Sequence, residues 1–306
     1  MLLDTASLYF RAYFGVPDSV TAPDGTPVNA VRGLLDFITR LVGEYHPTHL
    51  ACCWDNDWRP QWRVDLLPTY KAHRVERTLP TTTEGGAHFE EEVPDPLEAQ
   101  IPVILEVLEA FGIAVVGADE HEADDVIGTL ATGAGMPVDV VTGDRDLFQL
   151  VDDEAQVRVL YTARGVGKHE RVTDEVVQAK YGIVGHQYAD LAALRGDPSD
   201  GLPGVPGVGD KTAASLLRRF GDLAGVLTAA QDPDSDMAPG PRRKVKDALD
   251  YLAVAPQVVA VVRDLDLGEP DLTLPRTPAR PELLVDLSER WGLGGSATRL
   301  VEALSG

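Results

Sequence analysis

The chain has 306 residues, 44% hydrophobic and 25% charged, an ordinary globular composition that excludes disorder as its main state and suits one large domain or two modest ones. Its 27 Lys and Arg stand against 49 Asp and Glu, a net charge of −22, so no global positive field recruits nucleic acid or an anionic membrane; a polyanion must be gripped locally. No apolar run approaches the ~20 residues that cross a bilayer, and no basic segment followed by a cleavable apolar stretch opens the chain, so a cytoplasmic protein is expected.

In chain order, apolar runs at 2–4, 48–55, 113–116 and 138–144 read as strands, and periodic segments at 28–45, 101–111 and 121–131 read as helices. This alternation predicts an α/β fold: a mainly parallel central sheet with helices on both faces and ligands at the carboxyl ends of the strands. Cys52 and Cys53 are the only cysteines; as strand neighbours they point to opposite faces, so they are expected as small core residues rather than a disulfide or zinc site. From about Val172 the strand signal fades and helices are predicted at 173–181, 187–195, 210–220 and 241–254. Between the strand regions, Thr81 to Glu98 holds six acids and no Lys or Arg, the composition of a mobile, solvated loop.

Acidic pairs scatter over the surface of any acidic chain, but Asp4, Asp55 and Asp144 each close an apolar strand run, which gathers them on one sheet edge. Glu122 and Asp125 share a helical face with Asp124 alongside, and Asp146 follows Asp144 by two. Carboxylates crowded together call for a divalent ion between them, and oxygen-only ligands select Mg²⁺ or Mn²⁺. Two such ions are the usual apparatus of phosphodiester hydrolysis. Arg59, Arg63, Lys71, Arg74 and Arg77 against only Asp65 and Glu76 give a local excess of positive charge. Solvated surface is one reading of it; the interleaved Trp58, Trp62 and Tyr70, on which bases could stack, favour a nucleic-acid contact.

The segment 204–213, GVPGVGDKTA, is not a phosphate-binding P-loop, because Asp210 separates Gly209 from Lys211 and no strand precedes it. It reads as a tight glycine turn between helices, with the second helix's N–H groups and Lys211 free to grip a backbone phosphate. Asp197 and Asp200 lie just before it.

Together LLDTASLYFRAYF, CCWD, YKAHR, EADDVIGTLA, VVTGDRDLFQLV and LRGDPSDGLPGVPGVGDKTAASLL resemble the 5′ nucleases, the flap endonucleases and the 5′-3′ exonuclease domain of bacterial DNA polymerase I, over nearly the whole chain. The resemblance implies a PIN-like nuclease core over 1–185, with an arch at about 70–100, and a helical DNA-binding part over 186–306 with a helix-three-turn-helix at about 190–220. It implies a tighter metal site at Asp4, Asp55, Glu122, Asp124 and Asp144, and a second at Asp125, Asp146, Asp197 and Asp200. Arg11, Lys71 and Arg74 become phosphate-orienting cations with Arg63 as helper. Gly204, Gly207, Gly209, Lys211 and Thr212 become the duplex grip, where K⁺ can bind backbone carbonyls.

The implied activity is metal-dependent 5′-3′ exonuclease and flap cleavage of DNA, with RNA primers on DNA a further substrate, in primer removal and repair, by a monomeric, free-standing enzyme. Two departures carry expectations of their own. Gly201 replaces the family's Asn and should loosen a turn near the second site, and the acidic 81–98 stretch stands where the arch is usually basic. A PIN-type ribonuclease and a non-catalytic DNA-binding scaffold are the alternatives; the glycine turn speaks against the first, and the presence of all nine carboxylates against the second.

Overall fold

The computed structural model describes residues 1–79, 88–91 and 93–306, with side chains described outside 76–92. Its strands are β1 (Leu2–Asp4), β2 (Ala51–Trp54), β3 (Val75–Leu79), β4 (His88–Glu91), β5 (Ala114–Gly117), β6 (Val138–Thr142), β7 (Val157–Tyr161) and β8 (Glu170–Val172). Six form one sheet in the order β5-β2-β1-β6-β7-β8, parallel except for the antiparallel β7–β8 edge. β1 lies inside it and is buried along its length, which is why its sequence is an unbroken apolar run closed by an acid.

The two faces of the sheet carry separate cores. Leu3 and Cys52 pack on one side with the helices Asn29–Tyr45 and Ile101–Phe111; Leu2 and Cys53 pack on the other with Ala123–Ala131 and the helices between residues 188 and 259. The adjacent cysteines thus point to opposite faces, both buried and unbridged. The expected strands and helices of the first half are present, and Asp210–Phe220 runs over the predicted span. The pattern at 241–254 is two helices, Pro239–Asp247 and Leu249–Val259. β7, β8 and the helix Thr5–Gly15 are additional to the expected elements, as are Pro281–Trp291 and Gly294–Ser305, whose Leu287 and Leu300 return to the core beneath Asn29–Tyr45.

The expectation of a mobile 81–98 loop falls in part on residues 81–87 and 92, which lie outside the described residues. Of the rest, His88–Glu91 pairs antiparallel with Val75–Leu79, and Asp95–Glu98 is a helical turn that buries Leu97. That end of the stretch is ordered, held by an apolar anchor that the acidic composition hides.

Gly201 does not loosen its turn. It sits at φ +71°, and a Cβ there would stand 2.0 Å from the Thr69 carbonyl oxygen, while the Lys71 N–H donates to the Asp200 carbonyl at 3.0 Å. The close approach docks the 69–71 segment, and with it Lys71, onto the helical part. Gly201→Ala should therefore lower unfolding free energy by about 2 kcal/mol or more in urea titration, from left-handed backbone strain and the forced separation. Unchanged stability would refute the close contact.

Candidate active site

A cavity of about 420 Å³ opens at the carboxyl edge of the sheet, lined by Asp4, Asp55, Glu122, Asp124 and Asp144 with Lys71 and Arg74 among its other walls. Local structure aims each acid. Asp4 ends β1 and caps the helix Thr5–Gly15, accepting from the Ser7 N–H at 3.1 Å, while its other oxygen accepts from the Thr142 hydroxyl at 2.6 Å. Asp55, after β2, accepts from the Ala123 N–H at 2.8 Å and so fixes the start of Ala123–Ala131. Asp144 accepts from the Asp146 N–H at 2.9 Å in the turn after β6. Among the described residues, Asp124 and the second oxygens of Asp55 and Asp144 have no hydrogen-bond partner.

The five acids assigned to the tighter site are brought together; the four assigned to the second are not on this cavity. Asp125 is fully buried, and both oxygens are consumed: Arg63 binds them bidentately at 2.7 and 2.8 Å, and the N–H groups of Val262 and Glu122 complete the set. Asp125 is therefore a structural ion-pair partner, which corrects its reading as a metal ligand. Asp197 accepts from Arg195 at 3.2 Å and from the Ser199 hydroxyl, and Asp200 accepts from Arg74 at 3.0 Å. Asp146 lies within the field of Asp144, Asp200 and Asp197, so Asp146, Asp197 and Asp200 form an acidic group adjoining the cavity.

Arg63 is also corrected. Only 2% exposed, it donates to Glu122 at 3.1 Å, to Asp125, and to the Val258 carbonyl at 3.1 Å, so it cannot reach a phosphate. Arg59 is buried too, donating to the Tyr70 and Pro68 carbonyls, so neither Arg59 nor Arg63 contributes to a basic surface; the Arg77 side chain lies outside the described ones. Tyr70 is buried with its hydroxyl on Glu122, and Trp62 donates to the Glu120 carbonyl beneath the Arg63 guanidinium; of the three aromatics, Trp58 lines the cavity. Lys71 donates to Glu122 at 2.8 Å and Arg74 to the Ser199 carbonyl at 2.8 Å, both at the cavity wall as expected. Arg11 lines a neighbouring cavity instead. Arg145, between the two singled-out acids Asp144 and Asp146, also lines the site and was not among the expected site residues.

In the glycine turn, Gly204 is buried at φ +67°, and a Cβ would stand 2.5 Å from the Arg195 carbonyl, so it serves chain packing and not a DNA surface. Gly207, Gly209 and Lys211 are exposed, Thr212 half-buried, and Gly209 precedes the helix Asp210–Phe220 as its N-cap. The Gly207 carbonyl already accepts from the Lys244 ammonium at 2.7 Å.

Crowding governs the electrostatics. Burial pushes the Asp4 carboxyl up to about 7, against the Thr142 bond and with help from Asp55 and Asp144. Burial, then Asp4 and Asp144, hold Asp124 well above the usual carboxylate range; burial and Asp200 raise Asp144. Among the described residues no three His, Cys, Asp or Glu side chains are already closed into a metal-binding arrangement. The donors nonetheless suit a hard cation, being oxygen-only, anionic and, at Asp55, Asp124 and Asp144, partly unpartnered.

A parallel sheet with an acidic carboxyl edge, joined to a helical part through a glycine turn, defines a PIN-like nuclease class. Two family models cover most of the chain: "5′-3′ exonuclease, N-terminal resolvase-like domain" over residues 1–182 and "5′-3′ exonuclease, C-terminal SAM fold" over 183–281. The chain belongs to this 5′-3′ exonuclease family of enzymes. It is 59% identical to a 5′-3′ exonuclease of Streptomyces coelicolor, with 100% of each chain covered. It is 40% identical to DNA polymerase I of Mycobacterium bovis over 91% of this chain and 28% of that protein. In fold it is similar to the bacteriophage T5 flap endonuclease solved with DNA and metal ions, with a TM-score of 0.64, 18% identity and 100% and 99% of the two chains covered.

Two outcomes follow from the geometry. Arg63→Leu leaves Asp125 buried without its cation and should cost about 3 kcal/mol of stability, partly recovered in the double variant Arg63→Leu/Asp125→Leu. Lost turnover at unchanged stability would restore Arg63 to a phosphate role. Secondly, Asp4 stabilises the fold while protonated. That contribution is complete below its ordinary 3.8 and is lost as pH rises through about 7. In chelator, the melting temperature should fall from about pH 5 to about pH 8, less steeply in Asp4→Asn; a profile that is flat or that Asp4→Asn leaves unaltered would contradict the assignment.

Proposed function

We propose that the chain is a structure-specific 5′ nuclease that cuts DNA at 5′ ends and flaps, leaving a 5′-phosphate and a 3′-hydroxyl. The observation that carries this reading is the convergence of five acids from four separate segments on one cavity, walled by Lys71 and Arg74. The family relationship supports the exonuclease activity. Support for flap cutting, metal and DNA comes from the T5 enzyme's fold likeness and from the donors present here.

Asp4, Asp55, Asp124 and Asp144 would hold divalent cations, Mg²⁺ or Mn²⁺, with Glu122 acting beside them through the charge it shares with Lys71. Bound there, such ions would supply Lewis-acid stabilisation of phosphate charge and a water of lowered pKa. The residues themselves do the positioning. Lys71, held against Glu122 at 2.8 Å and the Trp58 carbonyl at 3.4 Å, presents a fixed positive charge at the cavity wall. Arg74 bridges the cavity to Asp200; exchanging that partner for a substrate phosphate would free Asp200 for the adjoining acidic group with Asp146 and Asp197, where a second ion would sit.

Away from the cut, exposed Lys211 on the first turn of Asp210–Phe220 would grip duplex backbone along with the free N–H groups of that turn. In this reading the sheet part to about residue 185 performs the chemistry and the helical part holds the duplex. Potassium at the turn would have to displace the Lys244 ammonium from the Gly207 carbonyl, where it donates at 2.7 Å. RNA 5′ ends and a monomeric state rest on the family resemblance, and a cytoplasmic setting on the sequence reading alone; among the described residues no helix is long and apolar enough to cross a membrane.

Cleavage of 5′-labelled flap, nicked and blunt duplexes tests the proposal. Asp124→Asn should reduce turnover by about 10²-fold or more with duplex affinity little changed, since the loss falls on transition-state charge. Chelator should abolish cutting, and Lys211→Ala should weaken binding and flatten its salt dependence. Wild-type turnover in Asp124→Asn, or cutting that survives chelator, would defeat it.

A further inference from the structure

Arg195 is the last residue of the helix Tyr188–Arg195 and stands between the acidic group and the glycine turn. That turn fixes its backbone: the Val205 N–H donates to the Leu194 carbonyl at 2.9 Å, and Gly204 lies against the Arg195 carbonyl. Its side chain, 14% exposed, reaches in two directions. Nη2 donates to the Asp197 carboxylate at 3.2 Å, Nη1 to the Asp210 carboxylate at 3.2 Å, and Nε to the Gly196 carbonyl at 3.0 Å.

Both carboxylate bonds are long for a charge-assisted pair, which settles at about 2.7–2.9 Å. Arg63, by contrast, binds Asp125 at 2.7 and 2.8 Å. One guanidinium divided between two acids satisfies neither. Those acids belong to different parts of the molecule. Asp197 sits in the group with Asp146 and Asp200, where three carboxylates meet two arginines, Arg195 and Arg74, so an oxygen-only group keeps negative charge for a hard cation. Asp210 opens the helix Asp210–Phe220 beside Lys211; it is 63% exposed, and no side chain caps that helix start. Its charge stands where a duplex phosphate would be gripped and repels it.

We propose that Arg195 is a positioning residue that couples the duplex grip to the acidic group by moving between Asp197 and Asp210. The proposal rests on reading the acidic group as a cation site and the turn as the duplex grip, and adds how each senses the other. With Asp197 committed to a cation, the guanidinium turns wholly to Asp210, neutralises it and opens the helix start to a phosphate. With Asp197 uncommitted, Arg195 is shared and Asp210 still repels. Linkage makes the effect reciprocal: duplex bound at the turn favours the cation by the same factor. The hold on DNA is thereby firmest when the acidic group is loaded.

The test measures duplex affinity by fluorescence anisotropy, with the full chain and a covalently closed dumbbell DNA that has no 5′ end to cut, in chelator and in Mg²⁺ at constant ionic strength. Mg²⁺ alone competes with protein cations for phosphate, so simple screening weakens binding. Coupling has the opposite sign: Mg²⁺ should tighten wild type about fivefold more than it tightens Arg195→Met, Asp210→Asn or Asp197→Asn. The cavity acids are common to all four proteins, so the differences isolate the coupling. In chelator, Arg195→Met should bind about threefold more weakly than wild type, in the range that one exposed ion pair is worth, and Arg195→Met/Asp210→Asn should recover the loss. A merely structural arginine gives no such rescue. Asp210 is exposed, so Asp210→Asn keeps the comparison valid even where Arg195→Met folds poorly. Equal Mg²⁺ gains in wild type and Asp210→Asn, or a double variant as weak as Arg195→Met, would overturn the coupling. Full coupling in a protein that cuts no flap would count against the proposed function alone, and flap cutting with equal Mg²⁺ gains against the coupling alone.

Discussion

The Arg63 guanidinium, buried between Asp125 and Glu122, is the interaction on which the site depends. It ties the helix Gln61–Leu66 to the helix Ala123–Ala131 and to the chain at 258–260 through carbonyl bonds. An acid cluster on the edge of a sheet cannot be placed by apolar packing alone, because its members repel. Arg63 and Lys71 offset two of the charges from behind, leaving Asp4, Asp55, Asp124 and Asp144 facing the cavity with their charge uncompensated. Burial opposes the positive charge on Arg63, yet the neighbouring carboxylates outweigh it and hold the group more firmly protonated than a free guanidinium.

That arrangement divides the nine acids by task. Asp125 and Glu122 are saturated with donors and act as framework, although Glu122 also reaches the cavity. Asp197 and Asp200 hold the turn that precedes the glycines, with Arg195 and Arg74 as partners. The same turn meets the 69–71 segment at Gly201, so the residues that would orient phosphate and those that would bind duplex share one rigid contact. Charge and backbone packing together position the wall cations; neither does so alone.

Much of this was legible in the sequence. Unbroken apolar runs closed by Asp marked β1, β2 and β6 and placed their acids on one edge, because strands buried on both faces tolerate polarity only where they end. Asp4, Asp55 and Asp144 were identified for that reason, while Glu122 and Asp124 came from helical spacing and the family resemblance. What was not legible was the side-chain partner. Nothing in the spacing of Arg63, Tyr70 and Asp125 distinguishes a buried network from a nucleic-acid surface, since each pairs with residues more than 50 positions away. β7 and β8 are short edge elements of five and three residues that were not among the expected strands, and Leu97 was masked by its acidic neighbours. Gly201 and Gly204 read as turn residues or phosphate contacts, when the need for glycine comes from backbone packed against them.

The central claim is that the uncompensated acids of the cavity are a cation site. Crystals grown with Mn²⁺ and measured at the manganese absorption edge test it most directly, because anomalous scattering locates the ion without reference to activity. The account predicts a peak within the cavity, beside Asp124 and Asp144, that disappears in Asp124→Asn. Manganese confined to surface acids, with the cavity empty at saturating metal, would contradict it.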